Sequence, residues 1–196
     1  MRGVIGALVL GLAVATVSPR AEACSCLPWD VIRDYNQSDE VVIGTIVSSQ
    51  TSSGYRVYTV RIHRDLKGCR TTGSLVRIGT PASGASCGIA LPSGTPMLLF
   101  ADWTTVRGQN VLMTTMCKTN KGVSRITADE RDYLESRPVT CGGVTTCNDG
   151  SSPYSCLIDP CSVATPCAGA TCEANYCGGC TAEFYYPTGE GACMPW

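Results

Sequence analysis

Between Glu40 and Cys117 the apolar pattern is that of strands. Five segments are rich in β-branched or aromatic residues: EVVIGTIVSS (40–49), YRVYTVRIHR (55–64), SLVRIGT (74–80), PMLLFADWT (96–104) and NVLMTTMC (110–117). Turn dipeptides separate them: Ser53-Gly54, Lys67-Gly68, Ser83-Gly84, Ser93-Gly94 and Arg107-Gly108. In the second segment Tyr55, Val57, Thr59, Arg61 and His63 alternate with Arg56, Tyr58, Val60, Ile62 and Arg64. One face is therefore mixed polar and the other more apolar, as in a barrel wall. After Ile126, Thr127 is placed to cap a helix ADERDYLES that Arg137-Pro138 stops, and WDVIRDYN after Pro28 predicts a shorter one.

Five short strands and two small helices make the element list of a five-stranded OB-fold barrel, a mainly β class. The same list suits other small β-barrels. No internal repeat interrupts it.

The chain opens with Arg2, an apolar run VIGALVLGLAVATV (4–17) and then Ala21-Glu22-Ala23 ahead of Cys24. A positive start, a short apolar core and small residues before a cut predict a signal peptide over 1–23, and hence a secreted, extracellular protein beginning at Cys24. The run is too short and too rich in Gly and Ala for a membrane span, and no later segment supplies one. Lipid anchoring at Cys24 would need small residues just before the cysteine, and Glu22 breaks that pattern.

Fourteen cysteines in an exported chain predict seven disulfides. The spacing Cys177-Gly-Gly-Cys180 would also suit a zinc knuckle, but an oxidising compartment and a single histidine, His63, favour disulfides there. Charge and cysteine both divide the mature chain. Residues 24–140 carry 13 Lys/Arg, 10 Asp/Glu and five cysteines, whereas 141–196 carry no basic residue, five acids and nine cysteines. The expectation is a front domain, 24–140, with its own apolar core and a small disulfide-rich module, 141–196, held by cross-links. Neither part is basic enough for nucleic acid.

Catalytic signatures are absent: the chain has no His-Glu-x-x-His, no Gly-x-Ser-x-Gly and no phosphate loop. His63 reads as a structural strand residue. Asp129, Glu130, Asp132 and Glu135 read as the solvated face of a capped helix, and Arg56, Arg61, Arg64, Lys67 and Arg70 as a solvated barrel face rather than a glycosaminoglycan strip. One enzyme reading survives, in which Cys24 is an N-terminal nucleophile using its own amine as base; a disulfide at Cys24 would forbid it.

The start CSCLP at 24–28 is similar to the N-terminus of the tissue inhibitors of metalloproteinases, whose inhibitory part is a netrin-like OB-fold module. SDEVVIGTIV resembles that family's first strand, LKG (66–68) the end of its second, TPASGASCGIALPSGTPMLLFA its C–D connector and fourth strand, and TTMCKTN its strand ending in cysteine. The resemblance covers residues 24–137.

It implies a non-enzymatic inhibitor of zinc metalloproteinases. The free amine and carbonyl of Cys24 would chelate the zinc of the partner protease, displacing its nucleophilic water; no cofactor would belong to the inhibitor itself. The resemblance further implies pairing of Cys24 with Cys87 and Cys26 with Cys117, which fixes the terminus before binding. Ser25 would enter the primary specificity pocket, and Leu27, Pro28, Ala85 and Ser86 would complete the contact. Two features depart from the family: DYNQS lacks the next N-module cysteine, and Cys69 in LKGC is extra. Cys141 is its economical partner. That leaves eight tail cysteines, whose connectivity the sequence does not determine. The tail does not resemble the family's C-terminal domain and is a candidate surface for a further protein or matrix partner. The competing reading is a netrin-like binding module without inhibitory activity, with the C-x-C as ordinary staples.

Overall fold

A computed structural model describes residues 24–142 and 144–193. The expected signal peptide, 1–23, lies outside the described residues. The elements are α1 (Val31–Gln37), β1 (Glu40–Ser52), β2 (Tyr55–Lys67), β3 (Leu75–Pro81), β4 (Pro96–Val106), β5 (Gln109–Met113), β6 (Lys121–Gly122), α2 (Ala128–Glu135), β7 (Pro138–Cys141), β8 (Val144–Cys147), α3 (Pro160–Val163), β9 (Thr171–Asn175), β10 (Thr181–Tyr185) and β11 (Gly191–Ala192).

The protein is mainly β. Strands β1-β2-β3-β5-β4 form a ring that closes because β1 pairs with both β2 and β4. Three register shifts, between Val41/Val42, Ile43/Gly44 and Ile46/Ser48, interrupt the β1–β2 ladder, and irregularities of this kind bend and twist a strand. Inside the ring lie Val42, Ile46, Tyr58, Val60, Ile62, Ile78, Leu99 and Leu112. A second apolar layer sits outside it, where Val41, Leu66, Leu98 and Phe100 pack against Val31 and Tyr35 of α1 and Leu134 of α2. Strand β4 is therefore buried on both faces along Met97–Ala101. This explains why PMLLFA reads as a continuous apolar run without alternation.

The predicted strands appear, with boundaries within three residues of those expected except at the fifth. NVLMTTMC does not stay extended to Cys117: β5 ends at Met113. Asn120 Nδ2 donates to the Thr114 hydroxyl at 2.8 Å and to the Thr115 carbonyl at 3.2 Å, while Met116 N donates to Cys87 O at 2.9 Å. Thr114 N still donates to Gly79 O at 2.8 Å, and beyond it these contacts replace a ladder and turn the chain toward Cys117. Both helices form as expected. The Asp30 carboxylate caps α1 by accepting from Arg33 N at 2.9 Å, and Thr127 and Glu130 make a reciprocal capping box on α2.

In the tail, β9–β10–β11 form a three-stranded sheet and β7–β8 a hairpin. Its bonds are Cys147–Cys177, Cys156–Cys180, Cys161–Cys172 and Cys167–Cys193. Cys147, Cys167 and Cys177 are themselves buried, as are Tyr185 and Ala192, so cystine supplies much of the interior that aliphatics supply in the barrel. Cys69 pairs with Cys141, tying the end of β2 to β7. No described helix is long and apolar enough to cross a membrane.

Candidate functional site

The segment Cys24–Pro28 has no regular structure of its own, yet several independent contacts hold it. Cys24 is bonded to Cys87 and Cys26 to Cys117, with Cα separations of 5.6 and 5.0 Å. The loops so closed span 63 and 91 residues, and in the chain-entropy picture each bond removes roughly 4 kcal/mol of denatured-state freedom. The Arg33 guanidinium donates to the Pro28 carbonyl at 2.6 Å. Asp30 N donates to the Thr119 hydroxyl at 3.0 Å, and that hydroxyl donates in turn to Asp34 Oδ2 at 2.5 Å. Arg33, Asp34 and Thr119 are all buried. The segment is pinned at both ends.

The turn opposite is equally built. Ser83 Oγ accepts from Ala85 N at 3.2 Å and caps a single 3-10 turn, Gly84–Ser86. Cys87 then takes a left-handed conformation, φ 64°, and Gly88 folds back so closely that any Cβ there would strike the Pro81 carbonyl. Only glycine fits that approach. Through the two cystines and the Met116–Cys87 backbone bond, residues 24–28, 84–87 and 116–117 form one continuous patch. Ser25, Leu27, Pro28, Trp29, Ala85, Ser86 and Met116 are exposed on it, while Cys24 and Cys87 are half-buried. Leu27 and Trp29 are each 62% exposed, large apolar side chains left largely uncovered by the described residues. The structure thus brings together all eight residues expected to make contact.

Sequence reasoning missed the buried support, namely Arg33, Asp34 and Thr119, and the flanking Met116. An Arg-Asp pair in a short helix carries no mark of burial, and Thr119 is one of many threonines.

The charged residues expected to be solvated are largely engaged. Arg64 pairs with Glu135 at 2.8 Å and donates to the Asn148 carbonyl. Lys67 Nζ donates to the Tyr35 and Asn36 carbonyls at 3.0 and 3.3 Å, and burial pulls its pKa down. Arg70 makes a two-pronged pair with Glu40. Arg64, Lys67 and Arg70 are therefore fastening residues and not a free strip. On α2, Glu130 pairs with Lys121 at 2.6 Å and Glu135 with Arg64, leaving Asp129 and Asp132 as solvated acids. His63 Nε2 lies 2.7 Å from the Thr45 hydroxyl on the barrel surface, a structural contact.

The tail reaches the back of the patch. Arg33 Nη1 lies 3.6 Å from Glu190, Gln37 Nε2 donates to the Thr188 carbonyl at 2.6 Å, and Asn36 Nδ2 to the Gly189 carbonyl at 3.0 Å. Arg137, 5% exposed, is the central fastener: it pairs with Glu183, donates to the Tyr185 hydroxyl at 2.8 Å and lies 4.4 Å over the Tyr133 ring. Burial pushes the Glu183 carboxyl up, but hydrogen bonds from Arg137, Tyr185 and Asn175 and the guanidinium charge outweigh it and hold the group below its ordinary range.

All the cysteines of the described residues are in disulfides, and no group of three or more His, Cys, Asp or Glu among those residues is placed to hold a metal ion. No family model matches the chain, and no curated protein matches it.

Proposed function

We propose that the protein is a secreted inhibitor of zinc metalloproteinases, acting through a chain start at Cys24. The barrel is then read as an OB-fold of the netrin-like kind, a reading supported by its closed ring β1-β2-β3-β5-β4 with the single parallel pairing between β3 and β5. The observation that carries the proposal is the double clamp: Cys24 and Cys26 are each bonded to a separate barrel loop while Ser25 between them stays exposed.

The chemistry follows from that clamp. A terminal amine and the carbonyl of the same residue close a five-membered chelate on a zinc ion with an open coordination position. With its sulfur bonded to Cys87, the backbone of Cys24 remains available for this while its position is fixed. Little ordering entropy is then lost on binding. Ser25 offers a small hydroxyl to the specificity pocket, Leu27 and Pro28 follow the substrate-like direction, and Ala85 and Ser86 widen the contact. The same bond leaves Cys24 no thiolate for nucleophilic attack, which favours inhibition over an N-terminal hydrolase.

The test is chemical blocking of the amine. Adding one Ala before Cys24, or acetylating the amine, removes the donor and adds bulk at the metal without touching disulfides or core. Either change should abolish inhibition of a zinc metalloproteinase panel at unchanged melting temperature. Because a metal-bound amine must be unprotonated, affinity of the unmodified protein should rise as pH climbs through the titration range of an ordinary α-amine. Undiminished inhibition by the blocked protein would replace this reading with that of a plain binding module.

A further inference from the structure

A cleft with no part in the chemistry proposed for Cys24 opens on the barrel wall. Strands β3 and β5 are parallel neighbours, but their ladder is only two pairs long, Ile78↔Leu112 and Gly79↔Met113. Before those pairs the strands part. The edges of Leu75–Arg77 and Gln109–Val111 that face each other have no cross-strand partner, although β3 is fully paired with β2 and β5 with β4 on their other sides. A cleft of about 560 Å³ occupies the gap, a size typical of ligand sites. Leu75, 60% exposed, and Trp103, 50% exposed, line it.

Its charge is one-sided. Arg70 and Arg77 line the cleft and no Asp or Glu does. Glu40 neutralises Arg70, whose guanidinium lies 5.8 Å from the centre of the Trp103 ring. Arg77 is exposed on β3 and makes no ion pair among the described residues. Two divergent strand edges, an apolar floor and one uncommitted guanidinium describe a receptor for a strand.

We infer that the cleft between β3 and β5 binds an extended acidic peptide segment of a partner protein by strand addition. The backbone of the incoming segment pairs with the free edge of Leu75–Arg77. An apolar side chain packs on Trp103 and Leu75, and a carboxylate meets Arg77. A nucleic-acid strand fits less well, because its regular phosphates call for a row of cations and the cleft has one to spare.

The probe is a fluorescein-labelled seven-residue peptide alternating valine and glutamate, titrated into the full protein by fluorescence anisotropy. Binding should occur in the micromolar range, with slowed amide exchange at Leu75–Arg77. Arg77→Glu, a surface change checked by circular dichroism, should weaken binding at least tenfold. The same peptide with lysine for glutamate, or with proline at its centre, should bind at least tenfold more weakly. The inference is overturned by absence of binding at millimolar glutamate peptide, by equal binding of the lysine or proline peptide, by full affinity in Arg77→Glu, or by preference for labelled oligothymidylate over the peptide.

Discussion

The Arg33 guanidinium reaches across from α1 to donate a 2.6 Å hydrogen bond to the carbonyl of Pro28, from a position only 3% exposed. A residue inside the protein thereby sets the course of a segment on its surface. Arg33 also lies 3.5 Å from Asp34 and 3.6 Å from Glu190, so one side chain joins the N-terminal segment, the barrel's helical layer and the tail.

Arg33→Met should therefore act in two ways. Removing one member of a buried charged set costs about 3–5 kcal/mol, so the melting temperature should drop. Inhibition at a temperature where the variant is still folded should also weaken, since Pro28 loses its tether. Arg33→Lys, which keeps charge but lacks the planar fork, should recover more stability than inhibition. Parallel loss of both in every variant would reduce Arg33 to a stability role.

Ser25 is exposed between two fixed cysteines, so substitutions there should leave folding unchanged. Under the proposed function, Ser25→Gly weakens inhibition of most targets and Ser25→Arg weakens it further through clash and a desolvated charge. Inhibition constants against several zinc metalloproteinases provide the check. Equal potency of all three proteins would remove Ser25 from the contact.

Gly88 is the position where backbone proximity leaves no room for a side chain. Gly88→Ala should cost about 1–3 kcal/mol by overpacking against the Pro81 carbonyl, and the strain should displace the Gly84–Ser86 turn. Loss of inhibition should exceed that of an equally destabilising change in the tail, as read by thermal melts and inhibition constants together.

Glu183 governs the acid limit of the tail's attachment. Its carboxyl titrates below the ordinary range when folded, despite the opposing effect of burial. Its contribution is thus complete above the unfolded-state value and is lost as pH falls through the lower folded value. In wild type the melting temperature should fall on acidification below about pH 4, the ordinary carboxylate range. Glu183→Gln should be less stable at neutral pH and should lose part of that acid slope. Calorimetry from pH 3 to pH 7 measures both, and an unchanged slope would assign the acid response to other carboxylates.

Strand composition, turn dipeptides and the Thr127 cap were legible along the chain because each depends on neighbours in sequence. PMLLFA was legible as a strand, but its burial on both faces came only with the helices that pack outside the ring. The division of charge and cysteine between 24–140 and 141–196 could be counted directly. What sequence could not convey was closure. The ring depends on β1 meeting β4 across more than fifty residues, and the early end of β5 depends on Asn120 bonding the Thr114 hydroxyl and the Thr115 carbonyl. The tail's four cystines likewise became definite only in three dimensions, because many pairings satisfy the same spacing. Charged residues were the hardest to read. Arg33, Arg64, Arg70 and Arg137 look like surface cations in a list of residues, and whether each is solvated or buried against a carboxylate is decided by which distant element lies opposite. Local propensity belongs to the chain; the partners of a side chain belong to the fold.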